Sequence, residues 1–379
     1  MEPQRQALQE QSIAQRCLYM SFELSDRKWI LFVGDGIRNP SSHVVEAGDR
    51  AAVMTVVGKA RHRCGLGAEA PVISCYEAGR DGFWLHRWLT EQGVRNHVVD
   101  AASIEVDRRA RRTKTDRIDG RKLYDSLLRY CGGEPRVWSV LRVPSEAAED
   151  ARRPYRELER LKAERTAHVN RIGELLVLHN VRVERIGGRG FSRRLTELKE
   201  RGLPAKLGAE LERESARLAL VVEQLALLER ELAAQAAPQA VQLQRLRALG
   251  PLSATGLVVE CFGWRRFRNR RELAASCGLV GSPYASGASA HEQGISKAGN
   301  RRLRWLLVEL GWNWLRYQPG SELSQWFNRR FGAGGKRLRR IGIVALARRL
   351  LIALWRYLEH GVIPAGAQLK AVAATRARD

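Results

Sequence analysis

The chain has 379 residues, with 65 Lys or Arg against 41 Asp or Glu and a formal net charge of +24. That length supports two or three domains with real cores, and that charge points to a polyanion, nucleic acid before membrane. No apolar run is long enough to span a bilayer, residues 1–15 lack the apolar centre of a signal peptide, and the six cysteines form no CxxC pair. A membrane span, a zinc site and a disulfide framework are therefore not indicated, and a reducing cytoplasm is expected.

In chain order, residues 17–25 read as a strand, 25–28 as a turn and 29–33 as a second strand. Glu23 stands near the end of the first strand of this hairpin. A helix is predicted over 49–64. A buried strand over 71–76 then ends on Glu77, and Ala78-Gly79-Arg80-Asp81-Gly82 turns the chain into a helix over 83–92. Another strand covers 96–100. This alternation implies an α/β domain with partly parallel pairing, in which the C-terminal ends of strands gather function.

The densest chemistry lies at 108–123. Asp116 and Asp119 sit three residues apart within a run that includes Arg111, Arg112 and Lys114. If Thr115 caps a helix, both carboxylates fall on one face of its first turns. Two close carboxylates repel unless they share a cation, and Mg²⁺ suits such oxygen donors. The basic residues suit a polyanion brought to that metal. The plain alternative is a capped helix with a solvated charged face.

From 147 to 237, apolar residues such as Leu158, Leu161, Ile172, Leu211, Leu218, Val222, Leu225 and Leu232 recur at helical spacing among charges. Two long helices, broken near 187–190 and 202–204, form a helical hairpin or coiled coil, which is a spacer or a dimerisation device. Residues 246–257 resemble a helix-hairpin-helix. Arg265 and Arg266 follow in a basic, aromatic stretch. A Gly/Ser-rich loop over 278–296 carries Ser286, and Lys297, Asn300, Arg301, Arg302 and Arg304 come next. The lysine and arginines among them could neutralise a phosphate attacked by the serine. The tail from 303 to 362 reads as helical. Its tryptophans are expected in the core, and its run 336–340, including Lys336 and Arg337, is expected on phosphate.

Tyr76-Glu77-Ala78-Gly79, Lys114-Thr115-Asp116-Arg117-Ile118-Asp119, Tyr284-Ala285-Ser286-Gly287 and Ser296-Lys297-Ala298-Gly299-Asn300 together resemble the transposases of the insertion-sequence 110 family. The resemblance implies three regions. Residues 1–146 would be a ribonuclease-H-like (RuvC-like) acidic catalytic domain, 147–237 a helical coiled-coil spacer, and 238–379 a mainly helical C-terminal transposase domain carrying the serine. It implies a four-carboxylate Mg²⁺ site at Glu23, Glu77, Asp116 and Asp119. Glu23 stands where the family commonly has Asp, with Asp26 as a poorer alternative. It implies Ser286 as the nucleophile of a composite active site, acting on donor and target DNA. It further implies a structured non-coding bridge RNA that would guide the choice of sites, and a dimer or dimer of dimers associated with the bacterial nucleoid. Two rivals stay open: a metal-dependent nuclease or junction resolvase with water as nucleophile, and a non-catalytic nucleic-acid-binding scaffold.

Overall fold

The computed structural model describes residues 16–104, 116–188, 190–286 and 289–370. The chain forms two compact units, 1–143 and 144–379.

The first unit is built on a five-stranded mixed sheet. Its strands are β1 (Leu18–Leu24), β2 (Lys28–Gly34), β3 (Ser41–Glu46), β4 (Val72–Glu77) and β5 (Arg95–Val99), in the order β3-β2-β1-β4-β5. The first three are antiparallel neighbours, and β4 and β5 add in parallel. Parallel pairing needs crossovers, and two helices supply them: α1 (Arg50–Cys64) and α2 (Trp84–Glu91). The Asp49 side chain caps α1 by accepting from the Ala52 amide at 2.9 Å, and Gly65 closes the helix at φ +62°.

Alternation along β1 sorts the two faces. Leu18, Met20 and Phe22 pack with Val53 and Val57 of α1 and with Leu85 and Leu89 of α2. On the opposite face Ile73 and Cys75 pack with Leu123 and Leu127 of α3 (Asp116–Cys131). Strand β3 was not legible in advance. It is a polar edge strand with only Val45 buried, so it shows no alternation of the kind that announces a strand.

The second unit begins with the short α4 (Glu146–Asp150) and the long α5 (Arg153–Val177). The chain continues through α6 (Phe191–Glu200) and α7 (Ala205–Ala234). Helices α5 and α7 run antiparallel, because Lys162 pairs with Glu229, His168 with Glu214 and Arg171 with Glu210. Leu211, Leu218, Leu225 and Leu232 are buried at seven-residue intervals. Val221 is the buried valine of α7. Val222, expected on the seam, is 40% exposed, since the seven-residue phase rotates it outward.

The rest of the unit comprises α8 (Pro238–Gln244), α9 (Pro251–Leu257), a π-helical turn at Val258–Phe262 and α10 (Arg270–Ser276). The strands β6 (Gly281–Ser286) and β7 (Ser289–Ile295) follow, then α11 (Arg301–Tyr317), α12 (Glu322–Phe327), a second π-helical turn (Asn328–Gly332) and α13 (Lys336–His360). One core unites Leu243, Leu257, Leu307, Trp314, Leu350 and Leu354 with Tyr155 of α5. A Cβ on Gly256 would lie 2.4 Å from the Tyr155 ring, so only glycine lets α9 approach α5 this closely. Trp314 is fully buried, but Trp305 is 58% exposed, which corrects the expectation that these tryptophans are all core. Among the described residues no helix is long and apolar enough to cross a membrane.

Candidate active site

Glu23 and Glu77 come together through strand pairing. The parallel register of β1 and β4 runs from Leu18↔Val72 to Phe22↔Tyr76, and each glutamate is the next residue on its strand. Alternation puts both on the α3 face, opposite Phe22 and Tyr76.

Helix α3 lies against this edge through a close contact. Gly120 is buried, and a Cβ there would come within 3.0 Å of the Phe32 ring and 3.3 Å of the Glu23 Cβ. The Ser21 hydroxyl donates to the Gly120 carbonyl at 2.8 Å, and the Cys75 thiol reaches the Leu123 carbonyl at 3.8 Å. One turn along, the Tyr124 hydroxyl accepts from the Gly36 amide at 3.3 Å, and burial pushes the phenol up to about 12. These contacts bring Gly120, the residue after Asp119, against Glu23. Asp116 opens α3, one helical turn before Asp119 and Gly120, and its side chain lies outside the described residues, as do Arg111, Arg112 and Lys114.

Asp26, the alternative to Glu23, pairs with Arg80 at 2.7 Å in an exposed contact between the β1–β2 turn and the turn after β4. Its carboxylate thus has a cation already. Arg80 is a residue the sequence reading passed over. Its signal was its place three residues after Glu77, in a Gly-rich turn at the same sheet edge. Among the described residues no three His, Cys, Asp or Glu side chains group tightly enough to hold a metal ion. The donor chemistry nonetheless fits a hard divalent cation, since Glu23 and Glu77 are carboxylates at neighbouring strand ends and Asp119 precedes the glycine that meets Glu23.

The serine region is not the irregular loop that its Gly/Ser content suggests. Strands β6 and β7 form an antiparallel hairpin, with Tyr284 opposite His291 and Ser286 opposite Ser289. Ser286 ends β6, next to the tip. Pro283, which has no amide to donate, coincides with a register shift in the ladder.

The segment Ser296-Lys297-Ala298-Gly299-Asn300 is laced to 276–280. Ser296 donates to the Val280 carbonyl at 2.8 Å, Lys297 to Gly278 at 3.1 Å and Asn300 to Ser276 at 2.8 Å. Gly278 and Gly299 adopt φ of +65° and +90°, and a Cβ on either would strike backbone of the facing segment. The glycines are therefore required by a backbone crossing, in addition to any ligand.

Asn300 caps α11 by accepting from the Arg302 and Leu303 amides, and it donates to Glu260 at 2.7 Å. Glu260 projects from the first π-helical turn, its side chain 1% exposed, and takes two bonds from Arg156 of α5, at 2.7 and 3.0 Å. Burial by itself would raise the Glu260 carboxyl. The Arg156 guanidinium and the Asn300 amide hold it below the usual range.

The cations expected on phosphate divide into two sets. Arg302 pairs with Glu159, and Arg304 donates to the carbonyls of Cys277 and Lys297. Arg265 pairs with Glu272 and lies over Phe267, and Arg266 pairs with Glu359. Lys297, Arg301, Lys336 and Arg337 are exposed and take part in no ion pair among the described residues.

An acidic sheet edge and a strongly basic helical unit within one chain define a nucleic-acid-processing enzyme. Comparison with known proteins makes this specific. Residues 240–325 match the transposase family described as IS116/IS110/IS902. The protein y4rJ of Sinorhizobium fredii, named as a transposase, is 42% identical over 375 residues, which is 93% of this chain and 94% of the relative. The transposase for insertion sequence element IS1328 of Yersinia enterocolitica is 28% identical over 214 residues, 55% of this chain and 63% of the relative. The chain belongs to the IS116/IS110/IS902 transposase family and is an insertion-sequence DNA transposase.

Proposed function

We propose that this transposase cuts and rejoins DNA through Ser286, with Mg²⁺ held by Glu23, Glu77, Asp116 and Asp119. The observation that carries the reading is the edge where Glu23 and Glu77 lie abreast on parallel strands and Gly120, next to Asp119 in the chain, admits α3 against Glu23. The strand order β3-β2-β1-β4-β5, with carboxylates at the C-terminal ends of β1 and β4, supports a ribonuclease-H-like (RuvC-like) reading of the first unit. Bound there, Mg²⁺ would polarise a phosphodiester and lower the pKa of an attacking hydroxyl.

The Ser286 oxygen loses its proton and bonds to phosphorus, and the leaving deoxyribose oxygen departs with a proton. The phosphoserine ester preserves the bond energy for rejoining to another strand. Exposed Lys297 and Arg301 offset negative charge on the phosphate. The seven-residue spacing on α7 supports a coiled-coil reading of the hairpin and a homo-oligomer, a dimer or a dimer of dimers. The +24 charge suits a guiding structured RNA as well as DNA in the bacterial cytoplasm.

The test is to incubate the protein with DNA and Mg²⁺, denature it, and map any DNA adduct by mass spectrometry. An adduct on the peptide 284–287, lost in Ser286→Ala and in Asp119→Asn, is the expected result. Cleavage without an adduct, and unimpaired in Ser286→Ala, would favour the junction-resolvase reading with water as nucleophile, because that reading needs the same carboxylates. Sequencing RNA that co-purifies from cells carrying the element tests the guide: a single structured transcript is expected, and random cellular RNA would remove it.

A further inference from the structure

Helix α13 falls outside the segment that matches the transposase family, and most of its cations line a cavity of ≈ 1760 Å³ in the second unit. That volume exceeds the ~300–1,000 Å³ of pockets that enclose small molecules, so the space suits an extended ligand. Lys336, Arg337, Arg340, Arg348, Arg349 and Arg356 line it, as do Arg270, Arg271 and Lys297 from outside α13, and Glu322 is the one acidic residue of the lining. Among the described residues, none of these α13 cations is paired with a carboxylate. A like-charge row with no internal counterion calls for an anion from outside.

Two further features narrow the ligand. The floor between the cations is apolar: Ile341, Val344, Ile352 and Ile363 line it, and Ile341 and Ile363 are 55% and 44% exposed. The Arg349 guanidinium lies 3.9 Å from the centre of the Trp326 ring, a cation–π contact that also borders the cavity. A duplex presents phosphates and sugars and leaves such a floor uncovered. An unpaired strand brings phosphates to the cations and turns base faces toward apolar and planar groups. From Arg337 to Arg356 the helix extends about 28 Å, the reach of several nucleotides. Gly281, Gly294 and Ile295 form part of the wall, so the groove runs past the base of the hairpin whose first strand ends on Ser286.

We propose that this groove holds an unpaired strand of the DNA substrate beside the β6–β7 hairpin. The inference rests on the chain being a DNA transposase and is independent of the serine and metal assignments, because its readout is binding.

The experiment measures fluorescence anisotropy of the full-length protein with a labelled oligothymidine about twenty nucleotides long, with a duplex of the same length and with oligouridine. The expected result is that Arg348→Gln combined with Arg356→Gln weakens oligothymidine binding by about tenfold or more and lowers its salt slope by roughly 1.4, about 0.7 for each phosphate contact removed. Duplex binding should fall by less than about twofold, because phosphate contacts elsewhere remain. Ile341→Gln should weaken oligothymidine alone, and Arg348→Lys with Arg356→Lys should restore most of the affinity. Equal losses for single strand and duplex would overturn the unpaired-strand assignment, and clearly tighter binding of oligouridine than oligothymidine would overturn the DNA assignment. A readout on the unaltered protein guards against misfolded variants. Photo-crosslinking of iodouracil-substituted single strand should label peptides from 326 and from 336–356, and labelling confined to other peptides would overturn the proposal.

Discussion

Helices α5 and α13 are both 25 residues long and both rich in arginine, yet their charges do opposite things. On α5, Arg156, Arg160, Lys162 and Arg171 each face a carboxylate, on α5 itself, on α7 or on the π-helical turn. On α13 the one acidic residue, Glu359, pairs with Arg266, and the row from Lys336 to Arg356 faces a cavity. A cation with a built-in partner contributes to the fold. A row of cations without partners repels itself, costs stability, and leaves its charge free for an anionic ligand. The charges of a basic protein thus separate into structural and functional sets by their partners, where composition alone lumps them together.

The comparison can be broken most easily at Glu260. Glu260→Ala would leave Arg156 and Asn300 without their buried partner and is expected to cost about 2–3 kcal/mol. Denaturant unfolding would read this as a lower midpoint, and an unchanged midpoint would mean that the α5 pairs are not structural. At the groove the sign should reverse. Arg340→Gln is expected to leave the unfolding midpoint unchanged or raise it by up to ~0.5 kcal/mol while weakening nucleic-acid binding. A substantial loss of stability would place Arg340 with the structural set.

Acidification sharpens the same contrast. The hydrogen bond from His168, then that from Arg217, holds the Glu214 carboxyl below its ordinary value. A depressed carboxylate stabilises the fold above the unfolded pKa of about 4.3, and that contribution fades as pH falls through the lower folded value. Thermal unfolding below about pH 4 should therefore lose stability, and Glu214→Gln should flatten that dependence. The smallest effect belongs to Arg171→Ala. Its pair with Glu210 is half exposed on both sides, so a change of no more than ~0.5 kcal/mol is expected, and one that shrinks with added salt.

The sequence by itself determined the elements whose signal is local. Alternation in β1, the apolar run of β2, the Asp49 cap of α1, the glutamate ending β4 and the repeating leucines of α7 were each readable within a short window. The carboxylates were readable as residue types, and Gly120 stood one residue after Asp119. That Gly120 is the contact bringing α3 to Glu23 depends on strand and helix meeting across 97 positions of chain, which no local pattern encodes. The same limit explains the rest. The β6–β7 hairpin hid behind loop-like composition because its stability comes from pairing, not from apolar alternation. Arg302 and Arg304 looked like phosphate ligands until tertiary structure supplied Glu159 and two backbone carbonyls. The number of charges is a property of the chain, but whether each finds an internal partner is decided by distances that exist only after folding.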